Sequence, residues 1–193
     1  MKNLIGLLLL GFAALGLSAQ SPTPTYGPTG FPRFLTAIEE FGVRLEGSAA
    51  EEKTLVFIRS ELSRLKLSSW ERGFSELIGG HSFSRVIEVD IQGKNSDLFV
   101  VLIPISESED SVTSRGAVNI ALGLSLIERY AAAQPPLSLR IVFLGADSGQ
   151  ARNLGSRLFL QDFFPDNPVA IWYLNFQRIP ERVHFQTGAR GTV

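Results

Sequence analysis

The stretch LRIVFLGADSGQARNLGS, residues 139–156, places an apolar run, a polar loop and the start of a helix in direct succession. The run Leu139–Leu144 is short, β-branched and aromatic, which is typical of a buried strand. Residues 145–153 form the polar loop, and a short helix is expected from Leu154 to Phe164. A strand that leads through a loop into a helix is the basic unit of an α/β domain.

The flanking segments repeat this alternation. Residues 98–103 (LFVVLI) are apolar throughout and predict a second strand, buried on both faces. Residues 116–133 follow a helical period and stop before two prolines, and residues 168–176 predict a further strand. We therefore expect mostly parallel pairing, with helices on both faces of the sheet. The functional crevice of such a sheet lies beyond the carboxyl ends of its strands, here residues 104–108, 145–148 and 175–178.

The N-terminal half predicts two helices and a hairpin. Residues 31–45 have helical spacing, and Ser48 with Glu51 forms a capping box that starts a second helix. Residues 82–92 alternate between apolar and polar side chains, as a half-buried strand does. Turn residues follow, so we expect this strand to form a hairpin with the apolar strand at residues 98–103.

Composition limits the possible functions. The chain has 193 residues, of which 45% are hydrophobic, enough for one compact domain but hardly for two. Its formal net charge is -1 with dispersed charges, so we expect no nucleic-acid partner. It contains no cysteine, which excludes disulfides, thiolate metal ligands and a cysteine nucleophile.

The first residues are typical of an export signal. Lys2 precedes an apolar run from Leu4 to Leu17, and Ala19 provides a small residue for cleavage. The run is shorter than the about 20 residues that a spanning helix needs. We predict a signal peptide at residues 1–19, a linker at 20–30 and an α/β domain at 31–193. The mature protein is then secreted or periplasmic, without a membrane span.

Residues 51–176 resemble the M28 family of zinc-dependent aminopeptidases. The resemblance rests on the order of strands and helices, and best of all on LRIVFLG at 139–145 followed by Leu154-Gly155-Ser156. It implies a three-layer αβα domain with a mixed, mostly parallel sheet of the zinc-exopeptidase (phosphorylase/hydrolase-like) type. At 193 residues the chain is short for this fold, and we expect a truncated or remodelled C-terminal third.

The positions that bind zinc or act in catalysis in that family hold other residues here. The family has a His-x-Asp motif after one strand, an Asp at a helix start, a Glu pair after a later strand and an Asp after the next strand. The His-x-Asp motif corresponds to Pro104 and Ser106, and the Asp at the helix start corresponds to Asn119. The Glu pair corresponds to Asp147 and Ser148, and the last Asp corresponds to Gln177. Among these six residues, Asp147 alone carries a charge. A zinc site needs about three or four converging His, carboxylate or thiolate ligands.

The resemblance therefore implies a degenerate centre, a pseudo-peptidase with no zinc cofactor. The two histidines, His81 and His184, do not follow strands where the family places ligands. We expect a non-enzymatic protein that binds a protein or peptide ligand.

Three alternatives stay open. The chain could be an active metal-dependent aminopeptidase or related hydrolase. It would then use Asp147 and the carboxylates of one loop, Glu107, Glu109 and Asp110. The same loop could also bind Ca²⁺ or Mg²⁺. A serine among Ser106, Ser148 and Ser156 could act as a nucleophile, although no Gly-x-Ser-x-Gly elbow is present. The chain could also be a truncated gene product.

Overall fold

The computed structural model describes residues 30–77, 81–107, 115–147, 153–166 and 168–174. The helices of these residues are α1 (Phe31–Glu39), α2 (Ala49–Arg64), α3 (Arg115–Ala132) and α4 (Leu154–Leu158), which continues into a π-helical turn at Phe159–Phe163. The strands are β1 (Ser69–Leu77), β2 (His81–Ile91), β3 (Leu98–Pro104), β4 (Ser138–Leu144) and β5 (Ala170–Tyr173). None of these helices is both long and apolar enough to cross a bilayer.

The five strands form one mixed sheet in the order β1-β2-β4-β3-β5. β3 pairs in parallel with β4 and with β5, whereas β2 pairs antiparallel with β1 and with β4. The predicted α/β class with a mixed sheet is confirmed. Among the described strands, parallel and antiparallel pairings are equal in number.

The predicted hairpin between residues 82–92 and 98–103 is wrong. β4 lies between β2 and β3, and the antiparallel hairpin partner of β2 is β1. β1 has the sequence SWERGFSEL, which is too polar for its pattern to predict a strand. The apolar strand β3 is buried on both faces, and such a strand belongs between two parallel neighbours.

The sheet has a separate apolar core on each face. On one face Val101, Ile103 and Phe143 pack with side chains of α1, α2 and α3. On the other face Val100, Leu102 and Val142 pack against Phe159. Alternate residues of the inner strands thus enter opposite cores, which gives the three layers that the sequence predicts.

Two helix boundaries have local causes. The first helix ends at Glu39 rather than residue 45, because Gly42 takes a left-handed conformation with φ 83°. The second begins as predicted, since Ser48 Oγ accepts a hydrogen bond from the backbone N–H of Glu51 at 3.2 Å.

Candidate functional site

The carboxyl ends of β3, β4 and β5 meet at one edge of the sheet. Just beyond β3, the backbone N–H of Ile105 donates to the carbonyl of Leu144 at 2.8 Å. Just beyond β5, the N–H of Leu174 donates to the carbonyl of Leu102 at the same distance. The described parts of two predicted crevice segments, 104–107 and 145–147, therefore lie next to each other, and the third segment, 175–178, lies outside the described residues.

Glu51 links the ends of β3 and β4. Ser106 Oγ donates to Glu51 Oε1 at 2.6 Å, and the backbone N–H of Ala146 donates to the same oxygen at 3.4 Å. The N–H of Gly47 donates to Oε2 at 2.7 Å. Burial raises the pKa of Glu51 above its ordinary value although these three groups donate to it. The Ser106 hydroxyl is thus committed to a carboxylate of the same chain.

Glu107 forms a buried ion pair with Arg44. Arg44 Nη2 lies 2.7 Å from Glu107 Oε1, and the two side chains are 1% and 4% exposed. The N–H of Gly116, at the start of α3, donates to Oε1 at 2.8 Å, and the N–H of Arg44 donates to Oε2 at 3.2 Å. Burial lowers the pKa of Arg44, whereas the charge of Glu107 opposes that shift. Both oxygens of Glu107 are therefore occupied.

Asp147 is also occupied on both oxygens. Its Oδ1 accepts hydrogen bonds from the backbone N–H and the hydroxyl of Ser156, both at 2.7 Å. Its Oδ2 accepts from the Tyr173 hydroxyl at 2.7 Å. Burial, followed by the negative charge of Asp147, raises the pKa of Tyr173, so the phenol stays protonated and remains a donor.

The Leu154-Gly155-Ser156 segment explains how Ser156 reaches Asp147. The helix start approaches the end of β4 so closely that a Cβ on Gly155 would collide with the carbonyl oxygen of Gly145. Ala146 and Asn153 both adopt left-handed backbone conformations, with φ 46° and 52°, which turns the chain sharply at each end of the loop. Glycine at position 155 therefore permits the contact.

Three of the remaining predicted positions lie within the described residues. Pro104 ends β3 opposite Leu144 and is buried, and Asn119 is buried on α3. His81 starts β2, opposite Leu77. Several predicted residues lie outside the described parts of the chain: Ser148, Gln177, Glu109, Asp110 and His184.

The described residues do not fit a zinc ion. Within residues 30–77, 81–107, 115–147, 153–166 and 168–174, no group of three His, Cys, Asp or Glu side chains could hold a metal. The side chain of Pro104 has no atom that can bind a metal, and the carboxylates of Glu51, Glu107 and Asp147 each bind N–H or O–H groups of the protein. A metal ion at any of these carboxylates would have to displace the partners that they already bind.

The sequence does not indicate the roles of Arg44 and Tyr173 at this site, nor the long-range contacts of Glu51. The capping box did identify Glu51, but only as a local helix start. Arg44 and Tyr173 are separated from their partners by 63 and 26 residues, so no local pattern could pair them.

No protein-family model and no curated protein sequence matches the chain. Solved structures do match its fold. A leucine aminopeptidase precursor from Bacteroides thetaiotaomicron has a TM-score of 0.67 at 14% identity, over 79% of this chain and 63% of that one. A putative zinc-dependent exopeptidase from Bacteroides vulgatus has a TM-score of 0.64 at 17% identity, over 78% and 60% of the two chains.

A glutaminyl cyclase from Porphyromonas gingivalis matches with a TM-score of 0.66 at 15% identity, over 78% of this chain and 59% of that one. The chain thus spans about three fifths of the length of these neighbours. Its structural neighbours are zinc-dependent exopeptidase-like and glutaminyl cyclase-like proteins, and the likeness establishes an M28-like fold.

Proposed function

We propose that this chain is an exported M28 peptidase-like domain that has lost its metal chemistry and binds a protein or peptide ligand. The observation that carries the proposal is the buried Arg44–Glu107 ion pair at the carboxyl end of β3. It places a fixed cation of the protein beside a carboxylate of the crevice, where a metal-dependent hydrolase needs free carboxylates for its ions.

The other crevice groups support the same proposal. A general base needs a carboxylate or imidazole that can reach a water molecule and take its proton. Both oxygens of Asp147 accept hydrogen bonds from Ser156 and Tyr173, and Asp147 is 5% exposed. The crevice is therefore arranged as a structural network. The apolar run at Leu4–Leu17 supports export.

The enzyme alternative has one observation in its favour. Ser156 Oγ donates to Asp147 Oδ1, so a serine and a carboxylate are adjacent at the crevice. A serine nucleophile needs a base that accepts its proton and is itself oriented by a third group. The third group here, Tyr173, donates to Asp147. The metal-dependent alternative uses Asp147 in a different way, together with the Glu107, Glu109 and Asp110 loop.

Metal content and turnover separate the two functions. The purified protein is dialysed against zinc, its metal content is measured, and hydrolysis of aminoacyl chromogenic substrates is followed with and without chelator. We expect substoichiometric zinc and no chelator-sensitive turnover. Stoichiometric zinc with chelator-sensitive hydrolysis would overturn the proposal.

A matched pair of variants tests the role of Asp147. If the enzyme alternative holds, Asp147→Asn abolishes turnover, whereas Asp97→Asn, an exposed carboxylate in the turn before β3, does not. If the proposal holds, both variants are as inactive as the parent. Fluorescence anisotropy with a panel of labelled unstructured peptides tests the binding role. Saturable binding of an intact peptide supports it, and no binding across the panel counts against it.

A further inference from the structure

A cavity of about 260 Å³ lies at the amino-terminal half of β3 and β4, at the opposite end of these strands from the Glu51, Glu107 and Asp147 cluster. Phe99 and Leu139 form its floor on the sheet, and Leu126 and Tyr130 of α3 form its roof. Trp172 of β5 stands at its side. It is independent of the crevice and of the proposed function.

The cavity explains an anomaly of burial. Phe99 and Leu139 belong to inner strands and face the helix-covered core, yet both are only half-buried. Inner-strand side chains on a covered face are normally in close contact with the next layer, because interiors are packed as densely as organic crystals. Here the layer ends early, since α3 stops at Ala132 ahead of two prolines.

The walls of the cavity are apolar and fixed. Trp172 stands edge-on to Phe99, with ring centroids 4.8 Å apart. The carbonyls of Pro135 and Pro136, at the rim, accept hydrogen bonds from the backbone N–H groups of Lys94 and Asn95 at 2.8 and 3.3 Å. Two prolines restrict the backbone there. The cavity is thus shaped before any ligand arrives, which reduces the entropy lost on binding.

Size and chemistry select the ligand. A dry apolar cavity of about 150 Å³ binds benzene, so 260 Å³ has room for two fused rings. Phe99, Tyr130 and Trp172 favour an aromatic ligand through edge-to-face contacts. Among the residues that the structure describes, no Lys, Arg, Asp or Glu lines the cavity. The guanidinium group of Arg129 lies beside Tyr130, with its central carbon 5.7 Å from the ring centroid. It disfavours a cationic ligand.

We propose that this cavity is a binding site for a small uncharged bicyclic aromatic molecule of the size of indole. The chain carries its own reporter and its own control, because it has two tryptophans at opposite edges of the sheet. Trp172 is at the cavity on β5, and Trp70 is on β1. Their indole N–H signals are followed in a ¹H–¹⁵N spectrum of the full chain during titration with free indole.

We expect the Trp172 signal to shift saturably, with half-saturation below about 1 mM, while the Trp70 signal stays in place. Leu126→Phe fills the cavity and should weaken binding by at least about tenfold, a loss of about 1.4 kcal/mol. Leu122→Phe, the same change one turn earlier on α3 and outside the cavity, should leave binding unchanged.

A second probe keeps the proposal testable if Leu126→Phe fails to fold. Tryptamine carries the same rings with a positive charge and should bind the parent chain at least about tenfold more weakly, since burying its charge is costly. Two outcomes would overturn the proposal. In one, neither tryptophan responds to indole; in the other, both drift linearly without saturation.

Discussion

The two ends of the strands β4, β3 and β5 are built in opposite ways. At the carboxyl end, Glu51, Glu107 and Asp147 each accept hydrogen bonds from groups of the same chain. At the amino-terminal half, Phe99 and Leu139 face a cavity that the described residues leave unfilled. At the carboxyl end the polar side chains are hydrogen-bonded to one another, whereas at the other end apolar side chains border an unfilled cavity. The fold therefore offers a binding pocket at the end where the M28 family does not place its chemistry.

The largest expected effect concerns the ion pair at the carboxyl end. Arg44→Met leaves Glu107 buried without its cation, and we expect a loss of about 3–5 kcal/mol in the free energy of unfolding. Adding Glu107→Gln removes the uncompensated charge and should restore more than half of the loss. Urea denaturation of the parent, single and double variants measures both steps.

The control for this change is a surface ion pair. Arg59 contacts Glu52 and Glu71 on the exposed side of the domain. Arg59→Met should cost less than about 1 kcal/mol, because solvent screens such pairs. If Arg44→Met costs no more than Arg59→Met, the carboxyl-end cluster is not the rigid network described above.

The next effect contrasts the cavity with the packed core on the opposite face of the sheet. Val100 and Val101 are neighbours on β3, but Val101 lines the cavity and Val100 lies in the closed core around Phe159. Val101→Ile has room for its added methyl group and should stabilise the protein by about 0.8 kcal/mol. Val100→Ile should destabilise it by about 1–3 kcal/mol through overpacking. Thermal unfolding measures the change in stability that each substitution causes. If both changes have the same sign, the two cores do not differ in packing as described.

Local patterns in the sequence predict much of this fold. The apolar runs at β3 and β4 and the capping box of α2 all form the expected elements. The position of the crevice follows too, because parallel strands have their carboxyl ends at one edge. What fails is strand order. The turn residues after β2 favour a hairpin with β3, but β3 pairs with β4 and β5 and has an apolar core on each face. No local signal in the sequence reports the free energy of that burial.

The contacts of the cluster are harder to predict than its location. Asp147 is recognisable as the charged residue after β4, yet its partner Tyr173 lies on the far side of β3 in the sheet. The sequence around Arg44 does not distinguish it from a surface arginine, because its partner Glu107 is 63 residues away in the chain. Long-range polar pairs are set by the tertiary fold and leave no periodic trace in the sequence.

The smallest effect is a difference in pH dependence between two glutamates of α2. Glu51 belongs to the carboxyl-end cluster, where burial raises its pKa above 4.5. Burial acts in the same direction on Glu61, but hydrogen bonds from Arg33 and Arg64 outweigh it and lower the pKa of Glu61. A raised carboxyl pKa contributes stability that is present below about pH 4.5 and is lost as pH rises through the folded value. A lowered one contributes stability above about pH 4.5 that is lost as pH falls through the folded value.

The unfolding free energies of the parent, Glu51→Gln and Glu61→Gln should therefore diverge in opposite directions when they are measured from about pH 3 to 7. The advantage of the parent over Glu51→Gln should shrink as pH rises above about 4.5, and its advantage over Glu61→Gln should shrink as pH falls below that value. Parallel pH profiles for the two variants would mean that Glu51 is no more desolvated than Glu61. The carboxyl end of the sheet would then be open to water and to ions, and the contrast between the two ends of the strands would be lost.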